Sequence, residues 1–171
     1  MLVNCYPTTV IFLTMNDHQY FINEAIRLSQ EGMRNNEGGP FGCVIVKDGV
    51  IISKGNNRVL ADNDPTAHAE IVAIRNACEY LQTFQLTGCD VYTSCEPCPM
   101  CMGAIYWARP RAVYYANTRQ QAAAIGFDDE MIYVELQKDL IERTIPMHCI
   151  ISEKALGVFK EWEEKGNMNL Y

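Results

Sequence analysis

Apolar residues recur at helical spacing in three long stretches of the chain, and each stretch predicts an amphipathic helix. In the first, Asn16 and Asp17 are suitable N-cap residues, and Gly32 is suited to follow the last turn. In the second, a cap at position 62, 63 or 64 precedes a proline, which is favoured in the first helical turn. The predicted helices are Asp17–Glu31, Pro65–Leu81 and Ser152–Lys165.

Shorter runs rich in β-branched and aromatic residues predict strands between these helices. The first two runs are separated by Asp48-Gly49, which predicts a tight antiparallel hairpin. A helix over Cys98–Trp107 separates the third run from the fourth, so these two strands should be parallel with a right-handed crossover. A further short helix is expected at Arg119–Ile125. The predicted strands are Phe41–Val46, Val50–Ser53, Asp90–Ser94, Ala112–Ala116 and, less regular than the others, Met147–Ile151.

The length and composition indicate one globular domain with a sizeable core. The chain has 171 residues, of which 49% are hydrophobic and 20% are charged. The apolar run Val10–Leu13 is far too short to span a membrane, and no Lys or Arg precedes Arg27, so a signal peptide or membrane anchor is not expected. We therefore expect residues 1–14 to be a disordered extension and residues 15–171 to form the domain.

Charge and cysteine usage exclude several classes of partner. Fourteen basic residues stand against twenty-one acidic ones, which gives a net charge of −7 and no general attraction to the phosphate backbone of a nucleic acid. The eight cysteines lack the spacing of a disulfide framework. We therefore expect a reduced, cytoplasmic protein that binds neither nucleic acid nor membrane.

One combination of residues predicts a catalytic metal site. His68 and Glu70 lie two residues apart, and Cys98 and Cys101 follow in the run Pro97–Cys101. One imidazole and two thiolates are zinc ligands, and three protein ligands leave a fourth position for water, as in catalytic zinc sites. Glu70 would move protons between that water and a substrate. The combination of H-x-E with P-C-x-x-C is the signature of zinc-dependent nucleobase deaminases.

Taken singly, these residues have simpler interpretations. A lone histidine is more often a cap or a core residue, and a lone C-x-x-C pair is as often redox-active or structural. Cys95 could complete a structural site as a fourth ligand. An iron–sulfur motif would need a cysteine at position 105 followed by proline, where Ile105 and Tyr106 stand. The joint presence of Glu70 and Pro97 favours a catalytic zinc.

Beyond the zinc motifs, the chain resembles the cytidine deaminase-like superfamily, and within it is most similar to the bacterial guanine deaminases. The similarity covers nearly everything from Met15 to Tyr171. Cys43 departs from the pattern, which has alanine at that position. The residues that carry the resemblance are Gly38–Gly42, Asn63–Glu70, Thr93–Cys101, Gly103–Pro110, Gly126–Asp129, Glu142–Pro146 and Tyr171.

The resemblance implies an α/β fold, a three-layer αβα sandwich around a mixed five-stranded sheet. It further implies one zinc ion per subunit and a homodimer that exchanges its C-terminal segment, so that Tyr171 closes the partner's active site. The substrate-binding residues that it implies are Asn57, Ala69 through its backbone, Asp129 and Tyr171, with Phe41 and Trp107 as walls of the pocket.

The implied activity is hydrolytic deamination of guanine to xanthine and ammonia. Deaminases of guanosine, cytosine or tRNA adenosine are alternatives, as is a zinc-stabilised binding protein that has lost catalysis. Without the resemblance, Asn57 would be interpreted as a turn residue, Phe41 and Trp107 as core residues, and Asp129 as a solvated residue or a helix cap.

Overall fold

A computed structural model describes residues 14–166 of the chain. The described residues fall into two compact units, one up to Asp128 and one from Asp129, and each is described by itself. In chain order, the elements are α1 (Met15–Arg34), β1 (Gly42–Lys47), β2 (Val50–Asn56), α2 (Val59–Asp62), α3 (Ala69–Leu81), β3 (Cys89–Cys95), α4 (Pro99–Ala108), β4 (Ala112–Asn117), α5 (Arg119–Ala124), α6 (Glu130–Gln137), a 3₁₀ turn (Leu140–Glu142) and α7 (Glu153–Glu164).

The sheet of the first unit has the order β2-β1-β3-β4. Strand β1 pairs antiparallel with β2 and with β3, whereas β3 pairs parallel with β4. The parallel β3-α4-β4 crossover is therefore confirmed. The β1–β2 hairpin is also confirmed, because Asp48 and Gly49 have φ angles of 49° and 76°, as a two-residue turn with two left-handed positions requires.

The expected fifth strand is wrong for the described part of the chain, where the sheet has four strands. Residues 147–151 adopt no regular structure, and Ile150 and Ile151 are 88% and 89% exposed. A β-rich sequence becomes a strand only when a neighbouring strand accepts and donates its backbone hydrogen bonds. Between residues 129 and 166 the second unit contains only helices and loops, so it offers no such neighbour.

Helix α1 is longer at both ends than its apolar pattern predicts. Thr14, and neither Asn16 nor Asp17, is the N-cap, and its side chain and that of Asp17 form a reciprocal capping box. Gly32 does not end the helix. A Cβ atom at position 32 would lie 2.2 Å from Nδ2 of Asn56, so this glycine allows α1 to approach the end of β2.

The two faces of the sheet are covered by different helices, which confirms the αβα arrangement for the first unit. On one face, Phe21 of α1 packs against Val44, Val46 and Tyr92. On the other face, the alanines of α3 pack against alternate residues of β1 and β3. This second cluster contains Ala69, Ala73, Ala77, Cys43, Ile45 and Val91. The first residues of α3 therefore lie directly on the sheet.

The second unit, from Asp129, holds α6, the 3₁₀ turn and α7 within its described residues. Helix α6 was not predicted from the sequence. Large apolar side chains of this unit are exposed, among them Ile141 at 94% and Phe159 at 70%. Over the described residues, 14–166, none of the helices is both long enough and apolar enough to cross a membrane. The predicted extension, residues 1–14, lies outside the described residues except for Thr14.

Candidate active site

The candidate metal-binding side chains lie at the starts of two helices. His68 is the N-cap of α3, and Cys98 is the N-cap of α4, with Pro99 in the first turn. The prediction that α3 begins at Pro65 is wrong, because Asp64 organises a separate turn before it. The backbone N–H and the hydroxyl of Thr66 both donate to Oδ1 of Asp64, at 2.8 and 2.7 Å. This turn places His68 just before the helix.

The donor atoms of His68, Cys98 and Cys101 lie within 4.8 Å of one another. Nδ1 of His68 is 3.5 Å from each of the two Sγ atoms. In a tetrahedral zinc site, bonds of about 2.1 Å to nitrogen and about 2.3 Å to sulfur separate these ligand atoms by about 3.6 Å. The donor set and its spacing therefore fit a zinc ion with three protein ligands.

The two thiols have different acidities. The hydrogen bond from Cys101 and, to a smaller extent, the hydrogen bond with His68 lower the pKa of Cys98 to about 4, although burial acts in the opposite direction. The hydrogen bond to Cys98, together with burial, raises the pKa of Cys101 well above its ordinary value. A metal ion takes the place of such a thiol proton when it binds two cysteines as thiolates.

Glu70 lies in the first turn of α3 and is only 5% exposed. Its Oε2 is 3.4 Å from Sγ of Cys101, and its Oε1 accepts a hydrogen bond of 2.8 Å from the hydroxyl of Thr93. Burial raises the pKa of the Glu70 carboxyl. A buried carboxyl beside the three donor atoms can accept and return a proton. Thr93 was not singled out from the sequence, because a threonine in a strand needs no functional explanation.

Cys95 is not part of the metal-binding cluster. It is buried, and its thiol points to the carbonyl oxygen of Thr118 at 3.7 Å. The cluster found among the described residues consists of His68, Cys98 and Cys101. The geometry therefore favours the three-ligand arrangement over a closed structural site with Cys95 as fourth ligand.

We predict that Cys95→Ser retains the metal content of the wild-type protein, because the hydroxyl can still donate to Thr118 and no ligand is removed. Elemental analysis of the purified variant measures this directly. A fall in zinc to the level of a true ligand variant, such as Cys101→Ser, would show that Cys95 is a ligand.

Asn57 is buried, and its amide orientation is fixed by the backbone. Its Oδ1 accepts hydrogen bonds from the N–H groups of Gly39 at 3.3 Å and Val59 at 3.2 Å. The amide nitrogen is thus the atom left to donate to a ligand. A Cβ atom at Gly38 would lie 2.0 Å from the same Oδ1, so the glycine is needed beside Asn57. The structure gives Asn57 an organising role beyond that of a turn residue.

Asn57 is tied to the metal-binding segment through its neighbour. The N–H of Arg58 donates to the carbonyl oxygen of Ala67 at 2.9 Å, directly before His68. The N–H of Asn57 donates to the carbonyl oxygen of Phe41, also at 2.9 Å. Backbone hydrogen bonds therefore link the segments that contain Phe41, Asn57 and His68.

The aromatic residues differ in their surroundings. Phe41 is half-buried and makes an edge-to-face contact with Phe127, with ring centroids 4.9 Å apart. Phe127 belongs to the sequence similarity but was not predicted as a site residue. Trp107 of α4 is 61% exposed, which does not support its interpretation as a core residue. Ala69, the first residue of α3, is fully buried.

The remaining predicted residues lie elsewhere in the chain. Asp129 belongs to the second unit, where it is the half-buried residue before α6, and its side chain makes no capping hydrogen bond to that helix. Asp129 therefore occupies the N-cap position of α6 but does not cap the helix through its side chain. Tyr171 lies outside the described residues.

Comparisons with known proteins agree with the chemistry of the site. The model of the cytidine and deoxycytidylate deaminase zinc-binding region matches residues 15–117. Guanine deaminase of Bacillus subtilis is 52% identical over 155 residues, which are 91% of this chain and 99% of that protein. Its X-ray structure superposes with a TM-score of 0.88 over 90% of this chain and 98% of its own. A tRNA-specific adenosine deaminase of Aquifex aeolicus is 43% identical over 98 residues, 57% of this chain and 64% of that protein.

Proposed function

Because this chain belongs to the cytidine and deoxycytidylate deaminase family, we propose that it catalyses the zinc-dependent hydrolysis of guanine to xanthine and ammonia. The observation that carries the proposal is the similarity to Bacillus subtilis guanine deaminase, at 52% identity over 91% of this chain and 99% of the relative. This similarity covers 155 residues, whereas the family model matches only residues 15–117. The reaction would belong to purine salvage or catabolism.

A tRNA adenosine deaminase is the competing activity within the same family. The tRNA-specific adenosine deaminases that match cover between 50% and 65% of this chain. The net charge of −7 also disfavours a polyanionic substrate. A free base therefore fits this chain better than a tRNA.

We propose that His68, Cys98 and Cys101 hold one zinc ion per chain. A zinc ion bound by three protein ligands lowers the pKa of a water in its fourth position towards neutrality and so supplies the nucleophile for hydrolysis. The side chain of Glu70 stands beside this donor set, with Oε2 3.4 Å from Cys101 Sγ. It is thus placed to act on a water bound there.

Glu70 is the proton carrier in the proposed reaction. Its carboxylate takes a proton from the attacking water while the water oxygen bonds to C2 of guanine. It delivers that proton to a ring nitrogen and then carries the proton of the newly added C2 hydroxyl group to the exocyclic amine. The bond from C2 to the amine breaks, ammonia leaves, and the former water oxygen becomes the C2 oxygen of xanthine.

Recognition of the base would use complementary donors and acceptors. The amide nitrogen of Asn57 can donate to an acceptor of the purine, because its Oδ1 is occupied by Gly39 and Val59. The carboxylate of Asp129 would accept from purine N–H groups, which a cytosine offers less. Family similarity adds the backbone of Ala69, the side chain of Tyr171, and Phe41 and Trp107 as walls.

The chain would act as a homodimer in which the C-terminal segments are exchanged. The exposed apolar side chains of the second unit support this assembly, since Ile141, Ile150 and Ile151 are 94%, 88% and 89% exposed. Several large apolar side chains that are almost fully exposed on one unit are typical of a protein interface. In such a dimer, Tyr171 would contribute to the partner's site.

The proposed activity is tested by incubating zinc-loaded protein with guanine and measuring both products. We expect one molecule of ammonia for each molecule of xanthine. Formation of neither product by folded protein with one zinc per chain would contradict the proposed function.

Exchanging Asp129 for asparagine should lower kcat/KM for guanine by about 10–100-fold, because hydrogen bonds to charged groups are worth roughly 1.5–3 kcal/mol. Zinc content should not change. Asp128→Asn is the matched control, since it removes the neighbouring exposed carboxylate. Equal kinetics of the Asp129 variant and the wild type would remove Asp129 from the site.

A further inference from the structure

Thr93 is a polar residue in the middle of the buried sheet. It lies in β3, is fully buried, and pairs across the sheet with Cys43 of β1. A buried hydroxyl is unfavourable unless it forms hydrogen bonds, and valine would suit this strand position at least as well. The partners of the Thr93 hydroxyl are therefore informative.

The hydroxyl of Thr93 has two acceptors within reach. Oε1 of Glu70 is 2.8 Å from Oγ1, and the carbonyl oxygen of Gly42 is 3.4 Å away. A hydroxyl has a single hydrogen to donate. The shorter distance and the carboxylate acceptor favour the bond to Glu70.

This bond makes the two oxygens of Glu70 different from each other. Oε1 is held by Thr93 from the side of the sheet, whereas Oε2 faces the metal-binding residues, 3.4 Å from Sγ of Cys101. A glutamate side chain has three rotatable bonds, and a proton carrier must be held close to its productive geometry. Thr93 supplies that restraint from a rigid central strand.

We propose that Thr93 is a positioning residue for the deamination, holding Glu70 by Oε1 so that Oε2 is the oxygen that exchanges protons with water and base. This inference rests on the proposed function. Thr93 itself touches neither water nor base. Its effect reaches the reaction only through Glu70.

Ser94 provides a matched control on the same strand. It is also buried, at 3% exposure, and its Oγ accepts a hydrogen bond of 3.0 Å from the N–H of Gly42. Successive side chains of a strand point to opposite faces, so Ser94 lies on the face away from Glu70. Ser94→Ala removes one buried hydroxyl, as Thr93→Val does, but leaves the hydrogen bond to the Glu70 carboxylate in place.

The kinetic test compares Thr93→Val, Thr93→Ser and Ser94→Ala at full zinc loading, with guanine as substrate. We expect Thr93→Val to lower kcat roughly 10–100-fold, as for other residues that orient groups at a metal site, with little change in KM. Zinc content should stay at one per chain. Thr93→Ser should have a kcat close to that of the wild type, because serine keeps the hydroxyl. Ser94→Ala should keep the wild-type kcat.

An unfolding test needs no turnover. We expect the effects of Thr93→Val and Glu70→Ala on unfolding, measured at fixed zinc concentration, to be non-additive because the residues are in contact, whereas Ser94→Ala and Glu70→Ala should add. Thr93→Ala serves in both tests if the valine variant does not fold.

Three outcomes would overturn the proposal: unchanged kcat in Thr93→Val, equal losses in Thr93→Val and Ser94→Ala, or additive unfolding effects for Thr93 and Glu70. Failure of the proposed function gives a different pattern. In that case the wild-type protein itself would not convert guanine, while the unfolding test would still report the contact between Thr93 and Glu70.

Discussion

Replacing Glu70 with glutamine should lower kcat for guanine by roughly 10²–10⁴-fold, the contribution typical of a positioned general acid–base. Glutamine has nearly the same shape and can still accept the hydrogen bond from Thr93, but it cannot take up and release a proton. The side chain is 5% exposed and is not one of the three metal donors. Zinc content and folding should therefore be retained. Steady-state kinetics, zinc analysis and circular dichroism measure the three properties.

Glu79→Gln is the matched control for this experiment. Glu79 lies on the same helix, α3, but is exposed to solvent, so its variant should keep the wild-type rate. Full activity of the Glu70 variant would assign proton transfer to another group. Loss of zinc together with activity would instead mean that Glu70 helps to hold the metal.

Removing the zinc should reduce xanthine formation to the uncatalysed background. Chelation achieves this in the wild-type protein, and Cys98→Ser achieves it by removing one of the three donors that surround the site. We expect activity of the chelated protein to return on addition of one equivalent of zinc. Activity and bound zinc should fall in parallel during chelation.

Cys149→Ser is the control for the cysteine exchange, because Cys149 is exposed and lies outside the donor cluster. Its variant should bind zinc and convert guanine as the wild type does. If the zinc-free protein kept its activity, or if Cys98→Ser retained a full complement of zinc and full activity, the assignment of the metal centre would be wrong.

The grouping of His68, Cys98 and Cys101 was predictable from the sequence because the spacing of such donors is dictated by zinc chemistry. His68, Cys98 and Cys101 come together with 3.5 Å between the imidazole nitrogen and each sulfur. The hairpin and the β-α-β crossover were predictable for a similar reason, since turn chemistry and chain handedness act locally. These predictions held because local rules determined the outcome.

Features that depend on distant partners were not predictable. Gly32 resembles a helix end, yet it lies within α1, where Asn56 comes too close for any side chain at this position. Thr93 resembles an ordinary strand residue until Glu70, 23 positions earlier, is placed beside its hydroxyl. Residues 147–151 have the composition of a strand, but no neighbouring strand pairs with them in the described part of the chain. Tertiary contacts decided each of these cases.

The most direct measurement is a substrate panel on zinc-loaded protein, following ammonia release and base absorbance for guanine, guanosine, adenine, adenosine, cytosine and cytidine. We predict conversion of guanine to xanthine with little turnover of the others, because the similarity to a guanine deaminase covers 91% of the chain. Turnover of another base or nucleoside without turnover of guanine would contradict the guanine assignment, although it would leave the zinc chemistry in place.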